Sequence, residues 1–287
     1  DVKQEAQSEA KEITITHELG ETKIEKTPEK VVIFDYGALD TLDKLDVDII
    51  GLPKSNVPEF LSKYKDDKYT DVGTLKEPNF ETLYELKPDL IIIGGRQAEM
   101  YDEFTKIAPT IYSAIDSKDY IGSFSKNSKA LGEIFGKESD VEDGIKKVEE
   151  RISEVNKKAT ESGNKALVVM ANEGALSVYG KGSRFDVVHN EFGFIPADEN
   201  IEASGHGQKV TFEYISEKDP DYIFVIDRSA VVGGNTSAKD TLENDIIKKT
   251  KAYKDGKIIY LDSFIWYVAP GGLDTTLKMI DDVEKAF

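Results

Sequence analysis

The chain has 287 residues, no cysteine, 39% hydrophobic and 32% charged residues, and a formal net charge of −18. This length allows two domains, and the lack of cysteine excludes disulfides, zinc thiolates and thiol nucleophiles. The negative charge disfavours a nucleic-acid partner, and the apolar runs, such as 90–93 and 223–226, are too short to cross a bilayer.

The first half begins with a polar segment and continues as alternating strands and helices. Residues 1–12 lack aromatic side chains, which is typical of a flexible tether. Such a spacer suits a chain held by a membrane anchor upstream, and the absence of cysteine favours export. The pattern then predicts a hairpin over 13–26, strands at 31–34 and 49–51, and helices from Gly37 and over 57–64.

The middle of the chain is a polar segment without proline, from 118 to about 162. Its apolar residues recur at helical spacing, which predicts one or two helices, broken or bent at Gly136 and Gly144. The part over 141–160 is expected to form a rigid rod between two lobes. Strands at 166–170, 176–179, 222–226 and 258–261 follow, with a closing helix over 273–287. The predicted domains are an N-terminal lobe (13–118), a connecting region (119–162) and a C-terminal lobe (163–287).

The chain also contains an ungapped internal repeat. Phe80-Glu81-Thr82-Leu83 and Phe212-Glu213-Tyr214-Ile215 both precede a Pro-Asp turn, an apolar strand and an arginine. The offset is constant, since 213 − 81, 220 − 88 and 228 − 96 all equal 132. A repeat of this length predicts two similar helix–strand units and therefore an α/β molecule with two matching lobes.

Three of the few arginines fall where a ligand is expected. Arg96 and Arg228 each come about three residues after a predicted parallel strand, and ligands of open α/β sheets bind beyond the carboxyl ends of strands. Arg184 follows a glycine-bearing loop after the strand at 176–179, which also fits the cleft. A structural salt bridge is the ordinary alternative for any one of them. Together they predict a permanently cationic cleft floor suited to an anion.

Aromatic residues near strand ends are expected to line the same cleft. Tyr36 follows the first strand, Tyr179 ends another, and Phe264, Trp266 and Tyr267 follow the strand at 258–261. Aromatic walls suit planar rings of a ligand. Core packing is an equal alternative for Tyr36 and Phe264, whereas the Pro-Gly-Gly turn after Trp266 and Tyr267 favours the cleft for these two.

The F-E-x-[LI] helix, the Pro-Asp-[LY]-Ile strand and their recurrence across the linking segment identify a known family. Over 12–287 the chain resembles the siderophore- and cobalamin-binding class (class III) of ABC-importer substrate-binding proteins. The resemblance implies two Rossmann-like lobes joined by one long rigid helical connector, with the ligand cleft between them. It also implies a monomer without catalytic activity or cofactor, lipid-anchored at the extracellular face of the cytoplasmic membrane.

The same resemblance implies the ligand and the roles of the residues. The three arginines, with Gly205-His206-Gly207 and Trp266-Tyr267, resemble members that bind anionic ferric catecholate or mixed catecholate/citrate siderophores, petrobactin favoured. His206 and Tyr267 match residues that ligate iron when a tetradentate siderophore leaves iron sites vacant, although His206 is equally consistent with a solvated loop residue. Imidazole and phenolate are both suitable ligands for ferric iron. The other histidines, His17 and His189, are expected to be structural.

Glu81 and Glu213 begin the two repeat helices and are expected at the exposed tips of the lobes. A first-turn glutamate often only complements a helix dipole. Equivalent placement on both lobes instead predicts a two-pronged dock, and the resemblance implies that these glutamates meet the dimeric permease of the importer.

Enzyme functions find little support in the sequence. It lacks a Gly-x-Gly-x-x-Gly after the first strand, a Walker A loop and a Gly-x-Ser-x-Gly elbow. An α/β hydrolase, a divalent-metal-binding protein, and a binding protein for another iron chelate or a cobalamin-like ligand remain the alternatives.

Overall fold

The computed structural model describes residues 12–287, so the predicted tether lies outside the described residues except for Glu12. The N-terminal part contains seven strands and three α-helices within this range, with 3-10 turns at Glu59–Lys65 and Gly95–Met100. In chain order these are β1 (Ile13–His17), β2 (Gly20–Ile24), β3 (Val31–Ile33), α1 (Tyr36–Lys44), β4 (Gly51–Leu52), β5 (Thr70–Asp71), α2 (Phe80–Leu86), β6 (Leu90–Ile93), α3 (Tyr101–Thr105) and β7 (Thr110–Tyr112).

The first sheet is fully parallel and has the strand order β5-β4-β3-β6-β7. Its central strands, β3 and β6, are buried along their whole length. Continuous Val and Ile runs of this kind are typical of strands covered on both faces. The predicted hairpin is confirmed as the separate antiparallel pair β1–β2, whereas the helix predicted over 57–64 is a 3-10 turn.

Two long helices follow, α4 (Tyr120–Phe135) and α5 (Glu138–Ser162). Gly136 ends α4 in the left-handed conformation, with φ 66°, as a helix C-cap requires. The predicted break at Gly144 is wrong, because this residue lies inside α5. A Cβ there would lie 3.0 Å from the Leu273 side chain, so the glycine allows close helix packing instead of ending the helix.

The C-terminal part is built on a second, mixed sheet. Its elements are β8 (Lys165–Asn172), β9 (Ala175–Tyr179), α6 (Val187–Asn190), β10 (Ile195–Pro196), β11 (Gln208–Val210), α7 (Phe212–Lys218), β12 (Tyr222–Asp227), α8 (Arg228–Val232), α9 (Ala238–Leu242), α10 (Lys251–Lys254), β13 (Ile258–Tyr260), α11 (Ser263–Val268) and α12 (Leu273–Glu284). The strand order is β11-β9-β8-β12-β13, with β10 also paired to β8. The predicted two-lobed α/β fold is confirmed.

The repeat forms equivalent helix–strand units, α2–β6 and α7–β12. Each helix ends at a non-glycine residue in the left-handed conformation, Lys87 (φ 50°) and Asp219 (φ 41°), directly before the proline. The aspartate after each proline then accepts backbone N–H groups at the start of the neighbouring strand. Asp89 accepts from Glu29 and Lys30, and Asp221 accepts from Lys165.

Besides the connecting helices, α12 also joins the two lobes. The backbone N–H groups of Asp274 and Thr275, in its first turn, donate to the buried Asp40 carboxylate of α1, each at 2.9 Å. Leu273 N–H donates to Thr41 Oγ1 at 3.1 Å. Burial raises the pKa of Asp40 to about 6, while these backbone hydrogen bonds oppose the rise. The start of α12 is therefore attached to the N-terminal lobe.

Candidate functional site

A cleft of about 740 Å³ lies where the carboxyl ends of the strands of both sheets meet. Residues that follow β3, β6 and β7 reach it from the first lobe, and residues of β8, β9 and α8 reach it from the second. Its polar and charged lining comprises Asp35, Lys76, Arg96, Ser117, Asn172, Ser177, Arg184, His206, Lys209, Arg228 and Tyr267.

The structure brings all three predicted arginines together in this cleft, around Tyr267. Arg96 Nη2 donates to the Tyr267 carbonyl at 3.0 Å, and Arg184 Nη2 donates to the same carbonyl at 2.6 Å. Arg228 Nε donates to the Tyr267 hydroxyl at 2.9 Å. The three guanidinium carbons lie 5.3, 4.2 and 5.7 Å from the centre of the tyrosine ring, respectively.

None of these arginines forms an ion pair with a carboxylate of residues 12–287. The ion pairs formed among residues 12–287 involve Arg151 and six lysines, and none involves Arg96, Arg184 or Arg228. The salt-bridge alternative therefore does not apply to them. Burial, and next the charge of Arg96, lower the pKa of Arg184. The cleft floor thus carries three guanidinium groups without an ion-pair partner, and the Asp35 carboxyl group interacts with the charge of one of them, Arg96.

The arginine cluster changes the pKa of the Tyr267 phenol. Partial burial opposes ionisation of its phenol, but the hydrogen bond from Arg228 and the charge of Arg184 outweigh burial and lower its pKa. The phenol is therefore deprotonated more readily than that of an ordinary tyrosine.

One predicted aromatic position needs correction. Tyr36 is only 1% exposed, its hydroxyl donates to the Pro53 carbonyl at 2.7 Å, and it is not among the residues that line the cleft, so it is a core residue. Trp266 is among the residues that line the cleft, as predicted, but it too is only 1% exposed, and its indole N–H donates to Asp282 at 2.9 Å. Burial of both side chains is possible because a hydrogen-bonding partner for each polar atom is available inside the fold.

The other aromatic positions divide between cleft and core. Tyr179 lines the cleft, although it is largely buried, and stacks edge-on against Phe185. Phe264 does not line the cleft and packs against the core of the first lobe. The alternative of core packing is therefore the correct one for Phe264 as for Tyr36.

His206 lies in an exposed loop that closes one side of the cleft. Its neighbour Gly207 has φ 73°, and a Cβ at this glycine would lie 2.7 Å from Cζ of Tyr179. The loop therefore packs its backbone directly on the Tyr179 ring, which requires glycine here. The other two histidines are buried, as predicted: His17 hydrogen-bonds Thr22, and His189 hydrogen-bonds the Phe194 carbonyl.

Sequence reasoning missed three charged residues of the cleft. Asp35 caps α1 through Ala38 N–H at 2.9 Å, and burial raises its pKa to about 6 although the Arg96 charge opposes the rise. Lys76 and Lys209 are exposed and come shortly before the two repeat helices. Their nearly matching places in the repeat are the signal that could have found them.

Comparison with known proteins places the chain in a family. The family model for periplasmic binding proteins matches residues 31–264. The chain belongs to the periplasmic binding protein family. It is 50% identical over 277 residues to the petrobactin-binding protein YclQ of Bacillus subtilis (strain 168). The alignment covers 95% of this chain and 87% of YclQ. It is 36% identical to the ferric-anguibactin-binding protein FatB of Vibrio anguillarum, over 96% of this chain and 87% of FatB.

Solved structures agree with these matches. The crystal structure of YclQ superposes with a TM-score of 0.94 at 49% identity, covering 96% of this chain and 98% of that one. The periplasmic catecholate-siderophore-binding protein VctP of Vibrio cholerae superposes with a TM-score of 0.91 at 40% identity, covering 96% and 100%. The two-lobed fold is thus the fold of this family.

The remaining features of this binding protein lie outside the cleft. Glu81 and Glu213 are both exposed in the first turns of α2 and α7, after the N-caps Asn79 and Thr211. Within residues 12–287, no helix is long and apolar enough to span a membrane. No group of three or more His, Cys, Asp or Glu side chains in the same range could hold a metal ion.

Proposed function

We propose that this protein captures an anionic ferric siderophore outside the cell and delivers it to an ABC importer, without catalysing a reaction. The observation that carries the proposal is the cluster of Arg96, Arg184 and Arg228, supplied by two lobes, facing one cleft and unpaired with any carboxylate. Catecholate and mixed catecholate/citrate chelates are the favoured ligands, and petrobactin is favoured among them. The binding specificities named for YclQ, FatB and VctP support this class of ligand.

Charge and geometry both suit such a ligand. Ferric iron takes hard oxygen donors, and its fully deprotonated catecholate complexes reach a charge of about −3. Arginine stays protonated, donates from a planar fork to pairs of oxygens, and stacks on aromatic rings. One charge pair at about 6 Å and an effective dielectric constant of about 20 contributes on the order of 3 kcal/mol before desolvation. Three such pairs are sufficient for tight binding after the costs of association.

The volume of the cleft also fits. A space of about 740 Å³ lies within the usual range of small-molecule sites, roughly 300–1,000 Å³. The wall formed by Tyr179 and Phe185 supports flat ligand rings, and Lys76 and Lys209 add positive charge from opposite lobes. His206 and Tyr267 are the protein groups we assign to iron when a tetradentate chelate leaves coordination sites open. The iron here is cargo, held mainly by the siderophore.

Delivery is assigned to the outer surface of the lobes. Glu81 and Glu213 are proposed to seat on basic pockets of a permease dimer, and an upstream lipid anchor is proposed to keep the monomeric protein at the extracellular face of the cytoplasmic membrane. The first half of α4 packs into the core that includes β8 and β12 of the C-terminal lobe, and its second half packs into the core that includes β3 and β6 of the N-terminal lobe. Because α4 is shared in this way and α12 is attached to α1, we expect only a small closure of the lobes on binding.

A titration panel tests the proposal. The protein would be titrated with iron(III) complexes of petrobactin, a simple bis-catecholate, citrate and a trihydroxamate, and with cobalamin, while the emission of Trp266 is recorded. We expect sub-micromolar binding of the anionic catecholates and weak or no binding of the neutral hydroxamate and of cobalamin. Preferential binding of cobalamin or of the uncharged chelate would overturn the proposed ligand class.

A further inference from the structure

Tyr267 contacts all three arginines of the cleft and both lobes of the protein. It belongs to α11, which follows the last strand of the C-terminal sheet, yet its side chain packs against the core clusters of both lobes. Arg96 reaches it from the first lobe, and Arg184 and Arg228 reach it from the second. One residue therefore contacts the whole cationic cluster and lies between the two halves of the protein.

The contacts divide by chemical group. The main-chain carbonyl accepts from Arg96 and Arg184, at 3.0 and 2.6 Å. The hydroxyl accepts from Arg228, at 2.9 Å. The face of the ring attracts cations through its quadrupole, and Arg184, at 4.2 Å from the ring centre, is the nearest of the three. Tyr267→Phe therefore removes the hydroxyl alone, Tyr267→Leu removes the ring together with the hydroxyl, and neither substitution removes the carbonyl.

This arrangement offsets the charge repulsion and the entropy loss that come with holding three arginines close together. Three guanidinium groups without carboxylate partners repel one another, and long arginine side chains lose substantial rotamer entropy when they are held in one place. Without a fixed acceptor between them they would separate into solvent. Ligand binding would then have to collect them again, which weakens the net affinity.

We propose that Tyr267 is the positioning residue of the anion site, whose ring and hydroxyl hold Arg96, Arg184 and Arg228 in place before the ligand arrives. The inference rests on the proposed function, but it assigns Tyr267 a role that does not require a bond between the phenol and iron. The contribution of Tyr267 should therefore persist with a ligand that already fills all six coordination sites of iron.

The test compares two ferric chelates on four proteins. The first chelate is the iron(III) complex of a hexadentate tris-catechol ligand, which leaves no site on iron for a protein group. The second is the iron(III) complex of a tetradentate bis-catechol ligand, which leaves two sites. Dissociation constants would be measured for the wild type, Tyr267→Phe, Tyr267→Leu and Phe264→Ala. The last is a control, because Phe264 lies on the same helix but neither lines the cleft nor stacks on an arginine in the described structure.

The expected results distinguish the contribution of the Tyr267 ring to chelate binding from that of its hydroxyl group. Tyr267→Leu, which fills the core but has no aromatic face, should weaken binding of the hexadentate chelate by about tenfold or more, the size of a desolvated cation–π contribution and its ordering effect. Tyr267→Phe keeps the ring and the main-chain carbonyl and should stay within about threefold of the wild type, although it loses the hydrogen bond donated by Arg228. Phe264→Ala should bind the hexadentate chelate like the wild type.

Other results would overturn the inference. If Tyr267→Leu binds the hexadentate chelate as well as the wild type and loses only the tetradentate one, Tyr267 acts through iron alone. If Tyr267→Leu binds the hexadentate chelate more tightly, the ring obstructs the cleft instead of organising it. A wild type that binds neither chelate contradicts the proposed function itself, which distinguishes that failure from the failure of the positioning role. Thermal melting of each variant, expected to remain cooperative, shows that the comparison is made on folded protein.

Discussion

The two repeat units, α2–β6 and α7–β12, share the same backbone features but differ in the position and contacts of the arginine that follows each strand. Both helices end in a left-handed residue before proline, and both Pro-Asp carboxylates hold the start of a neighbouring strand. Yet Arg96 is exposed on a 3-10 turn and reaches a main-chain carbonyl, whereas Arg228 is half-buried at the start of α8 and reaches a hydroxyl.

The comparison teaches that repeated backbone units can carry a functional site that is not symmetric. Arg184 lies outside the repeated stretch and is the most closely stacked of the three arginines on Tyr267. The C-terminal lobe therefore contributes two of the three guanidiniums, and the N-terminal lobe contributes one. An anion bound there would be held mainly by the C-terminal lobe and covered by the other.

The largest expected effect comes from the positions where the two units are equivalent. Replacing Glu81 and Glu213 together by alanine should abolish siderophore-dependent iron uptake, because two-pronged docking would lose both charges, while the affinity for the ferric chelate stays unchanged. The matched control is Glu85→Ala with Glu217→Ala. These glutamates are also repeat equivalents, exposed on the same two helices one turn later. Equal loss of uptake in the control pair would refute a specific role for the first-turn glutamates.

The second prediction concerns the asymmetry of the arginines. Arg184→Ala should weaken binding of a ferric catecholate by about a hundredfold, since truncating a partly buried charged donor typically costs about 2–4 kcal/mol. Arg96→Ala should cost less, about tenfold, because the exposed side chain is better screened by solvent. Arg151→Ala, which breaks only the ion pairs to Asp281 and Glu284, should leave binding unchanged. Calorimetric titration would measure all three, and a larger effect at Arg96 than at Arg184 would reverse the proposed order.

The third prediction uses Asp40, which attaches α12 to the N-terminal lobe. Its pKa is raised to about 6 in the folded protein, mainly by burial, against an ordinary value of 3.8. Between these values the folded state binds more protons than the unfolded one, so this group makes stability fall as the pH rises from about 4 to 6. Asp40→Asn keeps an oxygen acceptor for α12 and should show a shallower fall of the melting temperature over that range.

The control for this effect is Asp67→Asn, a substitution of an exposed aspartate in the same lobe. It should follow the pH profile of the wild type, because it leaves Asp40 and its contacts with α12 unchanged. Identical profiles for Asp40→Asn and the wild type would mean that Asp40 is not the group responsible.

The smallest expected effect is on the free energy of unfolding, and it concerns the two Pro-Asp turns. Asp89 accepts two backbone N–H groups, whereas Asp221 accepts one in the described structure. Since a hydrogen bond to a charged group contributes about 1.5–3 kcal/mol when buried and less at a surface, Asp89→Ala should lower the free energy of unfolding by about 1–2 kcal/mol, and Asp221→Ala by about half as much. Urea denaturation would measure both, and a larger loss at Asp221 would contradict the comparison.

The sequence could predict the repeat, the α/β layers and the three cleft arginines, because period, turn residues and strand ends are local features. It could not place Tyr36 in the core or show that Trp266, at the cleft, is almost fully buried. The partner of the Tyr36 hydroxyl is the Pro53 carbonyl of another loop, which only the tertiary fold brings close. Trp266 and Tyr267 are neighbours on a helix and point about 100° apart, so both could not face the cleft equally.

Long-range packing also explains two other features that the sequence could not predict, the role of Gly144 and the burial of Asp35. Gly144 looked like a helix break, but its lack of a side chain serves the contact with Leu273 of α12, which lies more than a hundred residues away in sequence. The burial of Asp35, which raises its pKa, depends in the same way on elements that fold over it. Long-range contacts of this kind leave no local pattern in the chain.

A crystal structure of the protein with a bound ferric catecholate tests the central claim most directly. We predict that the chelate lies between the lobes with guanidinium nitrogens of Arg96, Arg184 and Arg228 within hydrogen-bond distance, about 2.7–3.2 Å, of its oxygen atoms. A chelate bound elsewhere, or held in the cleft with these three arginines turned away from it, would contradict the account.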